Sequence, residues 1–322
     1  MKPPYHINAK ILKLISEVSE KIGAVKSGFM DKPSPQLRKQ NKIRTIHNSL
    51  KIEGNTLSEE QISGLIDNEP VIGPIKDIKE VLNAIRIYEN LDALDPKSEK
   101  SFLSAHKTLM EDLLVNPGSY RSKEVGIVKG DKVAHFAPPP SKVPFLMRAL
   151  FEYLNDPDEL GLIKSCVFHY EMAFIHPFLD GNGRMGRLWQ TLILYDDYEV
   201  FEHLPFESLI SQSQDEYYRV LAECDKAGNS TLFIEYMLRI INESLSEILK
   251  YNNNPLSQMD RLKYFSAKQK GDFTRKDYMN IFKTISSATA SRDLKAGIEM
   301  NLFESTGSFN KTSYRLKKAR NS

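Results

Sequence analysis

The segment HPFLDGNGRMGR, residues 176–187, separates two stretches of the chain that have helical spacing. The stretch before it is strongly apolar and runs from Leu162 to Phe174. Inside the segment, Gly181 and Gly183 flank one asparagine, and glycine adopts positive φ at little steric cost. Such a turn lets backbone N–H groups face inward and bind an anion. The spacing therefore predicts an anion-binding turn between two helices.

The charged side chains of this segment suit a ligand with adjacent phosphates. Arg184 and Arg187 are three positions apart, so they share one face of the following helix, and a guanidinium binds phosphate as a planar fork. Phosphate would repel Asp180 unless a cation lay between them. Because Mg²⁺ joins carboxylates to phosphate oxygens, Asp180 is the predicted Mg²⁺ ligand. His176 is the candidate base, since imidazole accepts a hydroxyl proton near neutral pH.

Each of these features has a simpler structural explanation when it stands alone. A histidine beside an apolar helix is usually structural, and we assign that role to His106 and His169. A Gly-Asn-Gly turn can serve only as a connection between helices, and two arginines on one helix face are usually solvated. The combination of all of them, in this order, favours a phosphate-binding site.

The same twelve residues match the signature of the Fic family, HPFx(D/E)GNGRxxR, at every specified position. NPGSYR at 116–121 and FHYEMAFIHPF at 168–178 also resemble the regions that precede the signature in this family. The resemblance implies a mainly α fold, with a Fic-type helical core and a β-hairpin flap, and the activity of a protein adenylyltransferase. In that reaction a Tyr, Thr or Ser hydroxyl of a target protein attacks the α-phosphate of ATP. AMP is transferred and pyrophosphate leaves.

The resemblance also implies a role for each residue of the segment. His176 matches the base that deprotonates the hydroxyl, Asp180 the Mg²⁺ ligand, and Arg187 the residue that orients the γ-phosphate. The other nucleotide-binding positions match two anion-hole glycines, a phosphate-positioning asparagine and a second phosphate arginine: Gly181, Gly183, Asn182 and Arg184. Gly183 stands where the phosphorylating branch of the family has Lys, which favours nucleotidyl transfer. A transferase that uses another nucleotide remains an alternative.

A second segment, SLKIEGN at 49–55, carries an acid at the end of a predicted helix. Ser49 and Glu53 are four positions apart, so we expect them on one helix face. An exposed helix end closed by Gly54 would explain the pattern, but an acid there meets a like-signed dipole, which suggests a partner for it. The segment resembles the Fic inhibitory motif, (S/T)xxxE(G/N), which implies that Glu53 pairs with Arg187 and inhibits its own chain. In some relatives this glutamate is thought to position a water that removes AMP, so a de-AMPylase is an alternative.

The sequence VGIVKGDKVAHFA, residues 125–137, predicts a β-hairpin around Gly130 and Asp131. An exposed strand edge can hold a partner segment by β-augmentation. The family resemblance makes this hairpin the flap that docks the target protein near His176, and an ordinary connecting hairpin is the alternative. Fourteen tyrosines also leave self-modification open.

The last part of the chain predicts a separate, small α+β domain. YNNNP at 251–255 is a linker pattern, and beyond it two helices and two strands suggest a winged helix. The predicted division is an N-terminal helical region with the inhibitory helix, a Fic core and a winged-helix-like domain, at 1–95, 96–250 and 251–322. A DNA-binding regulator acting through residues 255–322 is a further alternative, and contact with another protein is the other use of that domain.

Composition limits the other function classes. The chain has 44 basic and 42 acidic residues, a net charge of +2, which gives no case for bulk binding to nucleic acid or membranes. Two cysteines without metal spacing favour a reducing compartment. No secretory leader and no apolar run of about 18 residues is visible. We therefore expect a cytoplasmic protein without membrane contact.

Overall fold

The computed structural model describes residues 2–28, 35–129, 132–253, 258–269, 271–282, 285–307 and 312–317. The chain divides into two compact units, Met1–Tyr251 and Asn252–Ser322. The first unit is built almost entirely from helices, which confirms the mainly α fold predicted from the sequence. Its helices are α1 Ala9–Gly28, α2 Pro35–Ile52, α3 Glu59–Ile66, α4 Ile75–Tyr88, α5 Glu99–Leu109, α6 Val143–Leu154, α7 Gly161–Ile175, α8 Asn182–Asp197, α9 Glu207–Gln212, α10 Gln214–Ala227 and α11 Thr231–Asn253.

Helices α7 and α8 form the centre of this unit and pack along each other. Helix α7 is apolar on nearly every side, and Cys166, Val167 and Phe168 are fully buried. A helix of that kind belongs in an interior. On α8 the buried indole of Trp189 donates to the Pro96 carbonyl (2.9 Å). The turn at 176–181 is therefore held between two buried helices.

Helix α2 packs against α4, α8 and α9 through an apolar face that includes Ile46 and Leu50. It ends at Ile52, and Gly54 at φ 91° turns the chain away, as its C-terminal glycine predicted. Glu53 therefore lies one residue beyond the helix. We expected Glu53 on a helix face, but α2 ends one residue before it, so Glu53 lies in the turn that follows the helix.

A β-hairpin between α5 and α6 consists of β1 Gly126–Lys129 and β2 Lys132–Phe136. The strands are antiparallel, with Gly126 opposite Phe136 and a shift of register between Ile127 and Val128. The predicted turn residues 130 and 131 lie outside the described residues. Among the described residues this sheet has two strands, so each strand presents one edge without a strand partner.

The second unit contains α12 Gln258–Lys268, α13 Arg275–Ile281, α14 Ser287–Glu299, β3 Phe303–Thr306 and β4 Ser313–Leu316. Its core is aromatic, with Phe265, Phe273 and Phe303 in edge contact. The two helices and two strands predicted beyond the linker are present as α13, α14, β3 and β4, whereas α12 was not predicted. The winged-helix assignment stays a prediction. Helix α11 runs to Asn253, so the predicted linker at 251–255 begins inside a helix, and residues 254–257 lie outside the described part.

Candidate functional site

The candidate base, His176, directly follows α7 and has a left-handed backbone, with φ 50° and ψ 59°. Its N–H donates to the Met172 carbonyl (3.1 Å), which completes the last turn of the helix. Left-handed backbone is uncommon in residues other than glycine and is kept only where the surroundings enforce it. The histidine therefore leaves the helix at a sharp angle that neighbouring groups must maintain.

The side chain of Asn182 closes the loop that follows. Its Oδ1 accepts from the Phe178 N–H and its Nδ2 donates to the Phe178 carbonyl, both at 2.9 Å. Both functions of the amide are therefore used within the loop. The sequence resemblance gave Asn182 a part in positioning phosphate, and in this geometry its backbone N–H, at the start of α8, is the group suited to that part.

His106 supports the same loop from α5. The Gly118 N–H donates to Nδ1 (2.8 Å), so Nε2 carries the proton and donates to the Asp180 carbonyl (3.0 Å). The ring stacks on Phe178 with centroids 3.6 Å apart. Burial lowers the pKa of His106 to about 4, so the ring is neutral at pH 7. These contacts agree with a structural role.

His169 is also structural, because both of its ring nitrogens are occupied inside the core. Nδ1 lies 2.6 Å from Gln190 Oε1, and Nε2 lies 3.0 Å from the Tyr217 hydroxyl. Burial lowers its pKa to about 3. Neither His106 nor His169 therefore competes with His176 for the role of base.

The N-terminus of α8 faces the carboxylate of Glu53. Gly181, at φ 85°, precedes the helix, and the first N–H groups of a helix have no partner within it. At Gly183 the approach is so close that a Cβ atom would lie 2.3 Å from Glu53 Oε1. Together with the helix dipole, these N–H groups favour an anion. A carboxylate of the chain therefore lies beside the first turn of α8.

The same carboxylate binds Arg187, which is fully buried. The Arg187 Nη2 donates to Glu53 Oε1 (2.7 Å) and to the Ser49 carbonyl (2.8 Å), while Nε donates to Ser49 Oγ (3.0 Å). Burial on its own would lower the pKa of Arg187, but the charge and hydrogen bond of Glu53, together with Tyr217 and Tyr218, outweigh it and the pKa is raised. Ser49 and Glu53 of the SLKIEGN segment, with Gly54 supplying the turn, thus both bind this arginine.

Arg184 is also buried and contacts two carboxylates. Its Nη1 donates to Glu80 Oε1 (3.0 Å) and its Nη2 donates to Asp180 Oδ1 (2.9 Å). Glu80, on α4, is itself buried and accepts from the amide of Asn55 (2.9 Å). Sequence reasoning missed Glu80, because one acid in an amphipathic helix gives no sign of a partner 104 residues away.

Asp180 has a half-exposed carboxylate, which is the arrangement expected of a ligand shared with a bound nucleotide. Its Oδ1 also accepts from the Gly181 N–H (2.6 Å). The described residues include no group of three or more His, Cys, Asp or Glu side chains able to hold a metal ion. A single carboxylate still fits Mg²⁺, which takes most of its ligands from phosphates and water.

Two further buried ionisable side chains near the site were also missed. Arg121 lies under the His176 loop, and its guanidinium donates to four backbone carbonyls. Glu207, on α9, is fully buried, and burial raises its pKa to about 7 although the Arg187 charge acts in the opposite direction. Thr191 Oγ1 donates to Glu207 at 3.3 Å. The sequence pattern does not show that these two side chains are buried.

No helix in the described ranges has the length and apolarity needed to cross a membrane.

Comparison with known proteins adds the family context. The model of the Fic/DOC family matches residues 96–194. A Fic family protein from Desulfovibrio desulfuricans G20, known from a crystal structure, is 38% identical, covers 98% of each chain and superposes with a TM-score of 0.75.

Among curated relatives, the protein adenylyltransferase Fic of Nematostella vectensis is 26% identical over 257 residues, which are 76% of this chain and 56% of that protein. A probable protein adenylyltransferase of Aquifex aeolicus (strain VF5) is 28% identical over 222 residues, 66% of this chain and 64% of that protein. The chain thus spans somewhat more than half the length of these two relatives.

Proposed function

This chain belongs to the Fic family, and we propose that it is a protein adenylyltransferase restrained by its own Glu53. It transfers AMP from ATP to a Tyr, Thr or Ser hydroxyl of a target protein. The relatives that carry the name protein adenylyltransferase support the activity. The observation that carries the restraint is the ion pair between Glu53 and Arg187 at the N-terminus of α8.

In the proposed reaction, His176 takes the proton of the target hydroxyl while the hydroxyl oxygen attacks the α-phosphorus. A bond forms between that oxygen and phosphorus. The bond from the α-phosphorus to the bridging oxygen breaks, and pyrophosphate leaves with the electron pair. Backbone N–H groups at Gly181, Asn182 and Gly183 stabilise the negative charge of the transition state, where one such donor contributes roughly 100-fold or more in rate.

Arg184 and Arg187 bind the outer phosphates in this proposal. Arg187 turns to the γ-phosphate once Glu53 has left, whereas Arg184 remains beside Glu80 and acts from there. Asp180 is the residue that would hold Mg²⁺, and the ion would neutralise charge on the triphosphate when bound. The remaining steps depend on side chains and N–H groups of this chain.

Inhibition follows from competition for one guanidinium and one anion position. Glu53 neutralises Arg187 and lies over Gly183, so a triphosphate that enters cannot place its γ-phosphate on Arg187. The α-phosphate is then misaligned with the attacking hydroxyl. A misplacement of about 1 Å can cost roughly 100-fold in rate. Removal of the Glu53 side chain should restore the alignment.

The activity is tested with ATP labelled at the α-phosphate or at the γ-phosphate, in the presence of Mg²⁺. Glu53→Gly protein, alone or with a cell extract, should transfer the α-label to protein but not the γ-label. The matched variant Glu53→Gly/His176→Ala should transfer neither. Transfer of the γ-label, or α-transfer that persists without His176, would contradict the proposal. A labelled band at the chain's own mass, 36.8 kDa, would identify self-modification.

We also propose that the target protein docks on the flap, residues 125–137, as an added strand. The free edge of the two-stranded sheet supports this. Replacing residues 126–136 with a Gly-Ser segment of equal length should abolish labelling of a target while ATP binding stays unchanged. Full labelling of the target by that variant would show that the hairpin is only a connection.

The two alternatives, a de-AMPylase and a transferase for another nucleotide, would use the same site residues. The first would remove AMP from a modified protein, and the second would transfer a nucleotide other than AMP. If wild type removes AMP from protein that the Glu53→Gly variant has labelled, and loses this ability without Glu53, the removal activity is present. Competition of labelled ATP transfer with unlabelled CTP, GTP and UTP ranks the nucleotides. If one of these nucleotides competes more strongly than unlabelled ATP does, that nucleotide is the preferred substrate instead of ATP.

A second candidate function, DNA binding through residues 255–322, is favoured by the separation of charge along the chain. Residues 252–322 carry 14 basic and 6 acidic side chains, a net +8, whereas residues 1–251 carry 30 and 36, a net −6. On α14, Arg292 and Lys295 are exposed and three positions apart. A concentrated positive charge is the electrostatic signature of a nucleic-acid-binding domain.

Binding of the full chain to a short DNA duplex at increasing salt tests this candidate. Binding should weaken as salt rises, and Arg292→Ala/Lys295→Ala should weaken it further. Lys10→Ala/Lys13→Ala, which removes equal charge from α1, should have no effect. The absence of binding by wild type at about 50 mM salt would remove the candidate, because phosphate contacts are strongest there.

A further inference from the structure

Arg121 connects the candidate base to the hairpin through backbone contacts. It lies in NPGSYR, and only 4% of it is exposed. Its guanidinium donates to four backbone carbonyls, those of Ile175, His176, Lys123 and Pro138. Its own N–H donates to the Pro177 carbonyl (2.9 Å). One side chain therefore binds the end of α7 and both flanks of the hairpin.

The contact to His176 stabilises the left-handed backbone of that residue. Arg121 Nε donates to the His176 carbonyl at 2.7 Å. The direction of this carbonyl is set by the ψ angle of His176, which is held at 59° in the left-handed region. A fixed carbonyl therefore fixes the direction in which the chain leaves α7. The same contact maintains the backbone from which the imidazole projects.

The contacts to the hairpin lie just outside its strands. Arg121 Nη1 donates to the carbonyl of Lys123 (3.0 Å), three residues before β1, and Nη2 donates to the carbonyl of Pro138, two residues after β2. Nη2 also reaches the Ile175 carbonyl at 3.3 Å. The two flanks of the hairpin and the last turn of α7 are thus hydrogen-bonded to one guanidinium group.

Arginine is the side chain whose chemistry fits this arrangement. Its planar guanidinium has five N–H donors in a fixed fork, whereas lysine offers three donors from a single point. Burial lowers the pKa of Arg121, and its charge lies at the negative end of the α7 dipole. Lysine at this position would keep the charge but could not reach carbonyls on three separate segments.

We propose that Arg121 is a positioning residue that holds His176 and the target-docking hairpin in one fixed geometry. The inference rests on the proposed transferase function. Its consequence is that Arg121 affects the attack of the hydroxyl more than the binding of ATP, because none of its contacts involves the predicted phosphate site at α8. A loss of about 1 Å in this alignment can reduce the rate roughly 100-fold.

The test uses the full chain with Glu53→Gly as the parent, and adds Arg121→Lys or Arg121→Gln. Arg86→Lys is the matched control, because Arg86 is an exposed arginine paired with Glu111. The maximum rate of α-label transfer and the ATP concentration for half-maximal rate are measured. The second readout is the His176 ring resonance in ¹³C-histidine protein, assigned by its loss in His176→Ala.

We expect both Arg121 variants to lower the maximum rate about 100-fold, to change the half-maximal ATP concentration less than about threefold, and to shift the His176 resonance. Arg86→Lys should change none of these. A normal rate with an unshifted resonance would overturn the proposal. So would a changed ATP requirement at normal rate, or the failure of both variants to fold, which would make Arg121 a residue of general stability. If the parent transfers no label, the transferase proposal fails separately, and the resonance still tests whether Arg121 positions His176.

Discussion

The two arginines of the HPFLDGNGRMGR segment lie three positions apart on α8, yet their carboxylate partners differ in kind. Arg184 pairs with Glu80, which belongs to a helix and has 7% of its side chain exposed. Arg187 pairs with Glu53, which follows the end of α2 and has 28% of its side chain exposed. The first pair is enclosed by the core and the second lies at its margin. We infer that the first is permanent and the second can be released.

The largest expected effect comes from breaking the enclosed pair. Glu80→Ala leaves the buried Arg184 charge without its helix partner, and loss of one member of a buried pair costs about 3–5 kcal/mol. The free energy of unfolding, measured by urea titration, should fall by that amount. Glu53→Ala is the matched change at the marginal pair and should cost less, because the Glu53 side chain is 28% exposed and water can take its place beside the guanidinium. Equal losses in the two variants would contradict the distinction.

Glu207 separates the effect of burial from that of pairing, because it is fully buried and forms no ion pair with another described residue. Its pKa rises from its ordinary value of 4.5 to about 7, so between these values the folded chain keeps a proton that the unfolded chain has lost. Its contribution is thus fully present below pH 4.5 and is lost as pH rises towards 7. Relative to Glu207→Gln, wild type should lose up to about 1.4 kcal/mol of stability per pH unit across this range. Urea titrations at several pH values measure the difference, and a constant difference would contradict the raised pKa.

Ser49 gives the smallest effect, because it supports the marginal pair without charge. Ser49→Ala removes the hydroxyl that accepts from Arg187 Nε but leaves the Ser49 carbonyl and Glu53 in place. Loss of one such bond is worth about 1 kcal/mol, so α-label transfer should rise about fivefold over wild type. Ser63→Ala, at a position on α3 away from Arg187, is the control. Unchanged transfer in Ser49→Ala would mean that Glu53 acts alone.

Local features of the fold could be predicted from the sequence, because their causes lie within a few residues. Apolar spacing indicated α7 and α8, and Gly54 indicated the end of α2. The capping box that opens α3 is formed by the first and last residues of SEEQ, 58–61, so its cause is also local. Helix α12 was missed because its short amphipathic pattern follows a linker-like segment, and the end of α11 was placed too early for the same reason.

The contacts of the site depended on information that local patterns do not contain. The proximity of Glu53 and Arg187, 134 residues apart, was expected only from the family resemblance. Glu80 and Arg121 were missed because a buried charge is recognisable only by its partner, and their partners lie on other elements. The role of the Asn182 amide in closing its own loop also depended on a backbone geometry that the residue order does not specify.

The release of Arg187 by loss of Glu53 is the central claim, and α-label transfer tests it most directly. Wild type, Glu53→Gly and Glu69→Gly, which removes an exposed loop glutamate, are compared at equal concentration with the same target source. The account predicts transfer about 100-fold above wild type for Glu53→Gly and within about twofold for Glu69→Gly. Equal transfer by wild type and Glu53→Gly, with label clearly incorporated by both, would contradict it.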